Sequence, residues 1–211
     1  GVTARAILCC MRHRPDWSNE TVDLAIRYRA DGVAAIDLAG DETHFRGDPH
    51  AAAFKRARDA GMHVTVHAGE AGPAANVAEA LDLLHAERIG HGYHVVDDEA
   101  LYARVRRDRV PLECCLTSSL QTGAVASLDA HPVRRFLRDG ANFSLSTDDP
   151  GVSGIDLEHE YRLARAELGL TREQERAITL RALEAAFLPA DEKARLRAEI
   201  EAELARAEGE P

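Results

Sequence analysis

Short runs of apolar, β-branched residues recur along this chain, and between them apolar positions fall three and four apart, the repeat of an amphipathic helix. The extended runs cover 5–11, 33–39, 63–68, 89–91, 110–115 and 142–147. Helical spacing covers 20–30, 49–60, 73–87, 98–107 and 132–138, with Pro49, Pro73 and Pro132 at helix starts and Gly32, Gly61 and Gly140 at helix stops. Beyond Pro150 the pattern predicts helix alone. Thr171 and Gln174 form a capping box ahead of 177–187, and a charged helix over 191–207 spaces Glu and Arg as a solvated face does.

Strand and helix in alternation predict a parallel sheet covered by helices, with ligand chemistry at the carboxyl ends of the strands. A doubly wound nucleotide fold would place a Gly-rich phosphate loop after one strand, and neither G-x-G-x-x-G nor G-x-x-x-x-G-K follows any of them. The last run alternates Ser144, Ser146 and Asp148 against Phe143, Leu145 and Thr147, so one face carries small polar residues leading to an acid. That is the interior of a barrel opening into a site. The expected fold is α/β, a (β/α)8 TIM-type barrel that is incomplete here. Six of its eight strands are present, followed by C-terminal helices, and residues 1–211 form one domain.

With 211 residues and 45% hydrophobic content, the chain can bury a sizeable core. Its net charge of −10 repels phosphate backbones and anionic membranes, which leaves a small molecule as the expected partner rather than nucleic acid or membrane. No apolar stretch approaches the roughly 20 residues that span a bilayer, and no basic, apolar leader opens the chain, which reads as soluble and cytoplasmic. It begins at Gly1 directly before a strand, as a piece of something longer would. The adjacent pairs Cys9-Cys10 and Cys114-Cys115 point to opposite faces of their strands and read as packed, reduced thiols.

Chemistry concentrates at three strand ends. Val64-Thr65-Val66-His67-Ala68-Gly69-Glu70 delivers a histidine and, three positions on, an acid; Ile89-Gly90-His91-Gly92-Tyr93-His94 and Ser144-Leu145-Ser146-Thr147-Asp148-Asp149-Pro150 end in the same way. His67 and Asp148 are ligands of the zinc type. Taken alone, each histidine also reads as a satisfied polar residue, Glu70 as a solvated loop acid, and the Asp pair as an N-cap or turn before Pro150. Glu113 and Ser118 read either as supports that orient the site or as core polar residues. His13, His44, His85 and His131 read as surface or loop residues.

Those three runs, with Ile36-Asp37-Leu38-Ala39-Gly40-Asp41-Glu42, Ile7-Leu8-Cys9-Cys10-Met11-Arg12-His13 and Ala185-Ala186-Phe187-Leu188-Pro189, resemble the adenosine deaminase family in order and spacing. The resemblance implies zinc-dependent hydrolysis of adenosine and 2′-deoxyadenosine to inosine and deoxyinosine with release of ammonia, in purine salvage. It gives His67 and Asp148 as two zinc ligands, Glu70 as the acid that protonates purine N1, and His91 as the residue that orients and deprotonates the attacking water. Asp149 becomes the partner of N7, and the Gly40 backbone the donor to N3. The family pattern also opens with a His-x-His pair on its first strand that supplies two more ligands. This chain has no His-x-His. Half of the metal site and an unclosed barrel with two open edges are expected, so the chain by itself is expected to be inactive. Two other readings stay open: a deaminase of adenine or of a modified adenosine, and a non-catalytic purine-binding relative. The short zinc deaminases that act on flipped bases need H-x-E and P-C-x-x-C, which are absent.

Overall fold

A computed structural model describes residues 3–209, with side chains to 206. Six strands, β1 (Ala6–Met11), β2 (Val33–Ala39), β3 (His63–Ala68), β4 (Arg88–His91), β5 (Leu112–Cys114) and β6 (Phe143–Leu145), form one sheet in which every neighbouring pair is parallel. Strand order in space equals order in sequence. Each strand returns through helix: α1 (Ser18–Arg27), α2 (Ala51–Asp59), α3 (Ala74–Asp82), α4 (Glu99–Arg107), then the short α5 (Leu116–Gln121) with α6 (Val133–Asp139). After β6 come α7 (Pro150–Ser153), α8 (Leu157–Leu168), α9 (Arg172–Ala185) and α10 (Ala190–Gly209). This is the expected partial barrel. Gly1 lies outside the described residues.

Two-residue alternation divides the sheet. Ile36, Leu38, Val64, Val66, Ile89, Leu112, Phe143 and Leu145 are buried. Helices supply the other half of that core with residues three and four apart: Val22 and Ala25; Ala53, Phe54 and Ala57; Leu101, Tyr102 and Val105; Val133 and Phe136. The opposite face is polar, and there Glu113 accepts from Thr65 Oγ1 at 3.2 Å and meets Arg88 Nε at 2.8 Å. Among the described residues, β1 and β6 each pair on one side only, leaving the sheet two open edges. Ile7 and Cys9 on β1, and Trp17, Leu24 and Tyr28 along α1, are exposed beside the first of them.

Several boundaries shift for local reasons. The strand expected over 110–115 begins at Leu112, because Pro111 has no N–H to offer the ladder. The helix expected over 73–87 stops at Asp82, short of His85, which takes φ +56°. The helix expected over 20–30 ends at Arg27 and continues as a 3₁₀ turn closed by Gly32 at φ +102°. The capping box at Thr171 and Gln174 is present, opening α9 at Arg172. Cys10, Cys114 and Cys115 are buried, whereas Cys9 is exposed on the edge strand rather than packed.

His131 differs from expectation too: it lies in a loop but is 1% exposed. Its Nδ1 accepts from the Val133 amide at 3.1 Å, so Nε2–H donates to Ser119 Oγ at 3.0 Å, which in turn donates to Leu116 O. The ring stands edge-on to Tyr93, 4.9 Å between centroids. Burial, helped by the charge on Arg134, lowers its pKa to about 4. The unfolded chain protonates near pH 6.5, before the folded one does. Stability from this group is therefore complete above about pH 6.5 and is lost as pH falls toward 4, by up to about 3 kcal/mol. Urea unfolding at pH 7 and pH 4.5 should show a larger acid loss for the wild type than for His131→Gln. Equal losses would rule this contribution out.

Candidate active site

The carboxyl ends of β2, β3, β4 and β6 come together around one space. Backbone pairing of β2 with β3 stops at Ile36 and Val64, so above that level their ends are free to diverge. His67, near the end of β3, is held from below and behind. Arg12 donates Nη2 to the His67 carbonyl at 2.7 Å, and its Nη1 reaches Phe45 O at 3.3 Å. On β4, Gly90 faces the imidazole so closely that a Cβ there would stand 2.9 Å from His67 Cγ, and no side chain fits. His67 Nδ1 is 2.8 Å from Asp37 Oδ2, off the line of a good hydrogen bond and without another partner. Burial opposes a charge on His67, but Asp37, with Glu113 and Asp148 beyond it, prevails and raises its pKa to about 9.

His91 owes its direction to the backbone. Gly90 faces His67, so simple alternation would turn the next side chain out toward the helices. His91 instead takes φ +64°, a left-handed conformation that non-glycine residues rarely adopt, and its Nε2 comes to 3.6 Å from Glu70 Oε2 and 4.0 Å from Asp148 Oδ2. Tyr93 commits its hydroxyl proton to Cys115 O and accepts from Cys115 N, so at the 3.4 Å contact His91 Nδ1–H is the donor. The lone pair on Nε2 is thereby aimed into the site. Burial, then the charge on His67, lowers the His91 pKa to about 4, leaving the ring neutral at pH 7.

Asp148 also sits at a positive φ, +58°, and accepts from Ser118 Oγ at 2.6 Å. Ligand atoms of His67, His91 and Asp148 all lie within 4.8 Å of one another. Two imidazoles and a carboxylate are a donor set of the zinc type. These residues, with Glu113, Cys115 and Ser146, border a space of about 240 Å³. A second space of about 420 Å³ is bordered by Gly40, Glu70, His94 and Thr122, and the Glu70–His91 contact joins the two. Burial raises the Glu70 pKa; His67 opposes that, and Asp148 and Glu42 add to it. Gly40 has φ +106°, which favours glycine there for backbone shape rather than for room.

The structure thus gathers His67, Glu70, His91 and Asp148, with Gly40 at the rim. Asp149 is exposed at the start of α7, and neither space includes it in its border. Ser118 is the support for Asp148 that the sequence allowed, and Glu113 lies beneath the site. Residues that strand-end reasoning passed over are Arg12, Asp37, Glu42 and Glu160. Two of them left a signal: Asp37 is a charge inside the otherwise apolar run 33–39, and Glu160 falls on the buried stripe of α8, four positions before Ala164.

Comparison with known proteins agrees with this geometry. The family model for adenosine deaminase matches residues 1–203. An adenosine deaminase of Bos taurus is 47% identical over 201 residues, covering 93% of this chain and 55% of that protein. Among solved structures, a zinc-bound amidohydrolase from Burkholderia ambifaria has TM-score 0.90 at 30% identity, covering 97% of this chain and 58% of its own. An adenine deaminase from Arthrobacter aurescens has TM-score 0.87 at 29% identity, covering 93% and 60%. The chain spans about half the length of the curated relatives it matches.

Proposed function

Because the chain belongs to the adenosine deaminase family, we propose that it is the carboxyl-terminal part, read as one domain over 1–211, of a cytoplasmic enzyme of purine salvage. That enzyme hydrolyses adenosine and 2′-deoxyadenosine to inosine and deoxyinosine with release of ammonia. The observation that carries this reading is the convergence of His67, His91 and Asp148 within 4.8 Å, with Glu70 3.6 Å from His91.

In this reading His67 and Asp148 hold zinc, with two further ligands supplied from outside this chain. A zinc ion there would supply Lewis acidity and a water activated near neutral pH. The chain's own residues manage the protons. Glu70, whose carboxyl burial favours in its protonated form, gives a proton to purine N1 as the ring loses aromaticity at C6. His91, neutral with its Nε2 lone pair facing the site, takes one proton of the attacking water and passes it to the departing amine, and the remaining C6 hydroxyl proton returns to Glu70, so that C6–NH₂ and water become C6=O, N1–H and ammonia. The Gly40 amide donates to N3. Asp149 meets N7, a contact that needs a proton on one partner.

With half of the ligand set, the 211-residue chain should bind zinc weakly and turn over nothing. The test compares it with a polypeptide extended to the relatives' length, following the ultraviolet change on adenosine, deoxyadenosine and adenine, with metal content measured beside it. Zinc-dependent turnover of the two nucleosides by the longer polypeptide alone is the expected result. Preference for adenine would move the reading to the activity named for the Arthrobacter relative. Neither turnover nor zinc in the longer polypeptide would leave a purine-binding relative, and full activity of the short chain would refute the dependence on missing ligands.

A further inference from the structure

Glu42 lies two residues beyond Gly40 and is 8% exposed, yet it points neither at solvent nor at the metal-type cluster. Its carboxylate accepts four successive backbone amides of the next strand's loop: Gly69 at 2.9 Å on Oε2, and Glu70 at 2.6 Å, Ala71 at 2.7 Å and Gly72 at 2.8 Å on Oε1. Asn76 Nδ2 adds a fifth donor at 3.1 Å to Oε2 and also reaches the Glu42 carbonyl at 3.2 Å. The fit is close. A Cβ on Gly72 would stand 2.9 Å from Glu42 Cδ and 2.3 Å from Asn76 Nδ2.

Ladder bonds between β2 and β3 end well below this level, at Ile36 and Val64. Above it, the Glu42 carboxylate ties the segment that presents the Gly40 amide to the segment that presents the Glu70 carboxyl through four successive backbone amides, with Asn76 and the Arg12 bridge from Phe45 O to His67 O beside it. N1 and N3 of a purine flank C2 on one ring edge, so a ring seated between the two segments meets both at a spacing that the protein must fix.

We infer that Glu42 is a positioning residue that sets the separation of the Gly40 amide from the Glu70 carboxyl, making the contacts to N3 and N1 interdependent. The inference rests on the purine reading above and adds to it a residue that touches neither substrate nor metal. A carboxylate suits the task because all five groups around it are N–H donors, and an amide in its place would turn an N–H₂ toward some of them.

Glu42→Gln and the milder Asn76→Ala, in the polypeptide of the relatives' length, test it in two ways. Hydrogen exchange should quicken by about 10-fold or more at the amides of 69–72 while core strands keep their protection. Inhibition by purine riboside, its 1-deaza and its 3-deaza analogue should then be compared. In the wild type each deletion weakens binding; in the variants both penalties should shrink together, with zinc content unchanged. Unchanged exchange at 69–72, or weaker binding of all three compounds with their ratios preserved, would overturn the inference, the latter being the mark of a merely structural role. If Glu42→Gln does not fold, Asn76→Ala alone decides, in the same direction and to a smaller extent. Failure of the wild type to bind any of the three would count against the purine reading itself, and exchange would still decide whether Glu42 holds the loop.

Discussion

Glu70→Gln, in a polypeptide of the relatives' length, should lower adenosine turnover roughly 10²- to 10⁴-fold while zinc content stays the same. Glutamine keeps the size and the hydrogen-bonding shape but has no acidic proton to give. Burial raises the Glu70 pKa and the carboxylates of Asp148 and Glu42 add to this, against the opposing charge on His67. Its backbone N–H donates to the Glu42 carboxylate, which fixes the main chain, so the change is confined to the chemistry of one group. The check is kcat measured beside metal content. Turnover within a factor of about three of the wild type would remove Glu70 from the role of acid, given the size of effect a general acid provides.

The second large effect should appear in stability. Glu160→Ala should cost about 3 kcal/mol or more and lower Tm by roughly 6 to 12 °C. Glu160 is fully buried on α8, and its carboxylate accepts the amide of Leu116 at 2.6 Å, the amide of Thr117 at 3.2 Å and the Thr117 hydroxyl. Removing it leaves the first amides of α5 facing a dry space, each lost partner carrying the desolvation cost of a buried donor. Two positions later on α5, Ser118 donates to Asp148, so loosening of this helix should also weaken metal binding. Glu160→Gln retains one carbonyl acceptor and should fall between the two. Thermal unfolding with a parallel zinc titration decides it; a loss below about 1 kcal/mol would mean that the amides find other acceptors.

Strand positions and their polar ends were legible because they depend on neighbours in sequence. Val64 to Ala68 alternates, runs out at a histidine, and does so in the structure. What escaped reading depends on residues far apart. The sequence Leu116–Gln121 offers no cap of its own, and α5 forms where Glu160, 44 positions from Leu116, covers its first amides. His131 has charged neighbours such as Asp129 and Arg134 and reads as surface, but the loop carrying it folds down onto Tyr93. The direction of His91 was the least legible, since alternation alone would send it toward the helices and a single left-handed φ reverses it. The clamp at Glu42 was not legible, since the four amides that it gathers lie some 27 to 30 positions further along the chain. Asp149 remained ambiguous in sequence as either a turn acid or a substrate contact, and its exposed position at the start of α7 keeps the functional role within the proposal above.

Because each strand lies beside its predecessor, this part of the barrel can grow in the order in which a ribosome delivers it, every unit docking on a surface already formed. The cluster follows a different schedule. His67 and His91 emerge on the third and fourth strands, whereas Asp148 follows the sixth, so a nascent chain holds the two imidazoles for some 57 residues before Asp148 joins them. On the zinc reading proposed above, this chain's share of the metal site is complete only once β6 has docked, so zinc retention would report that step.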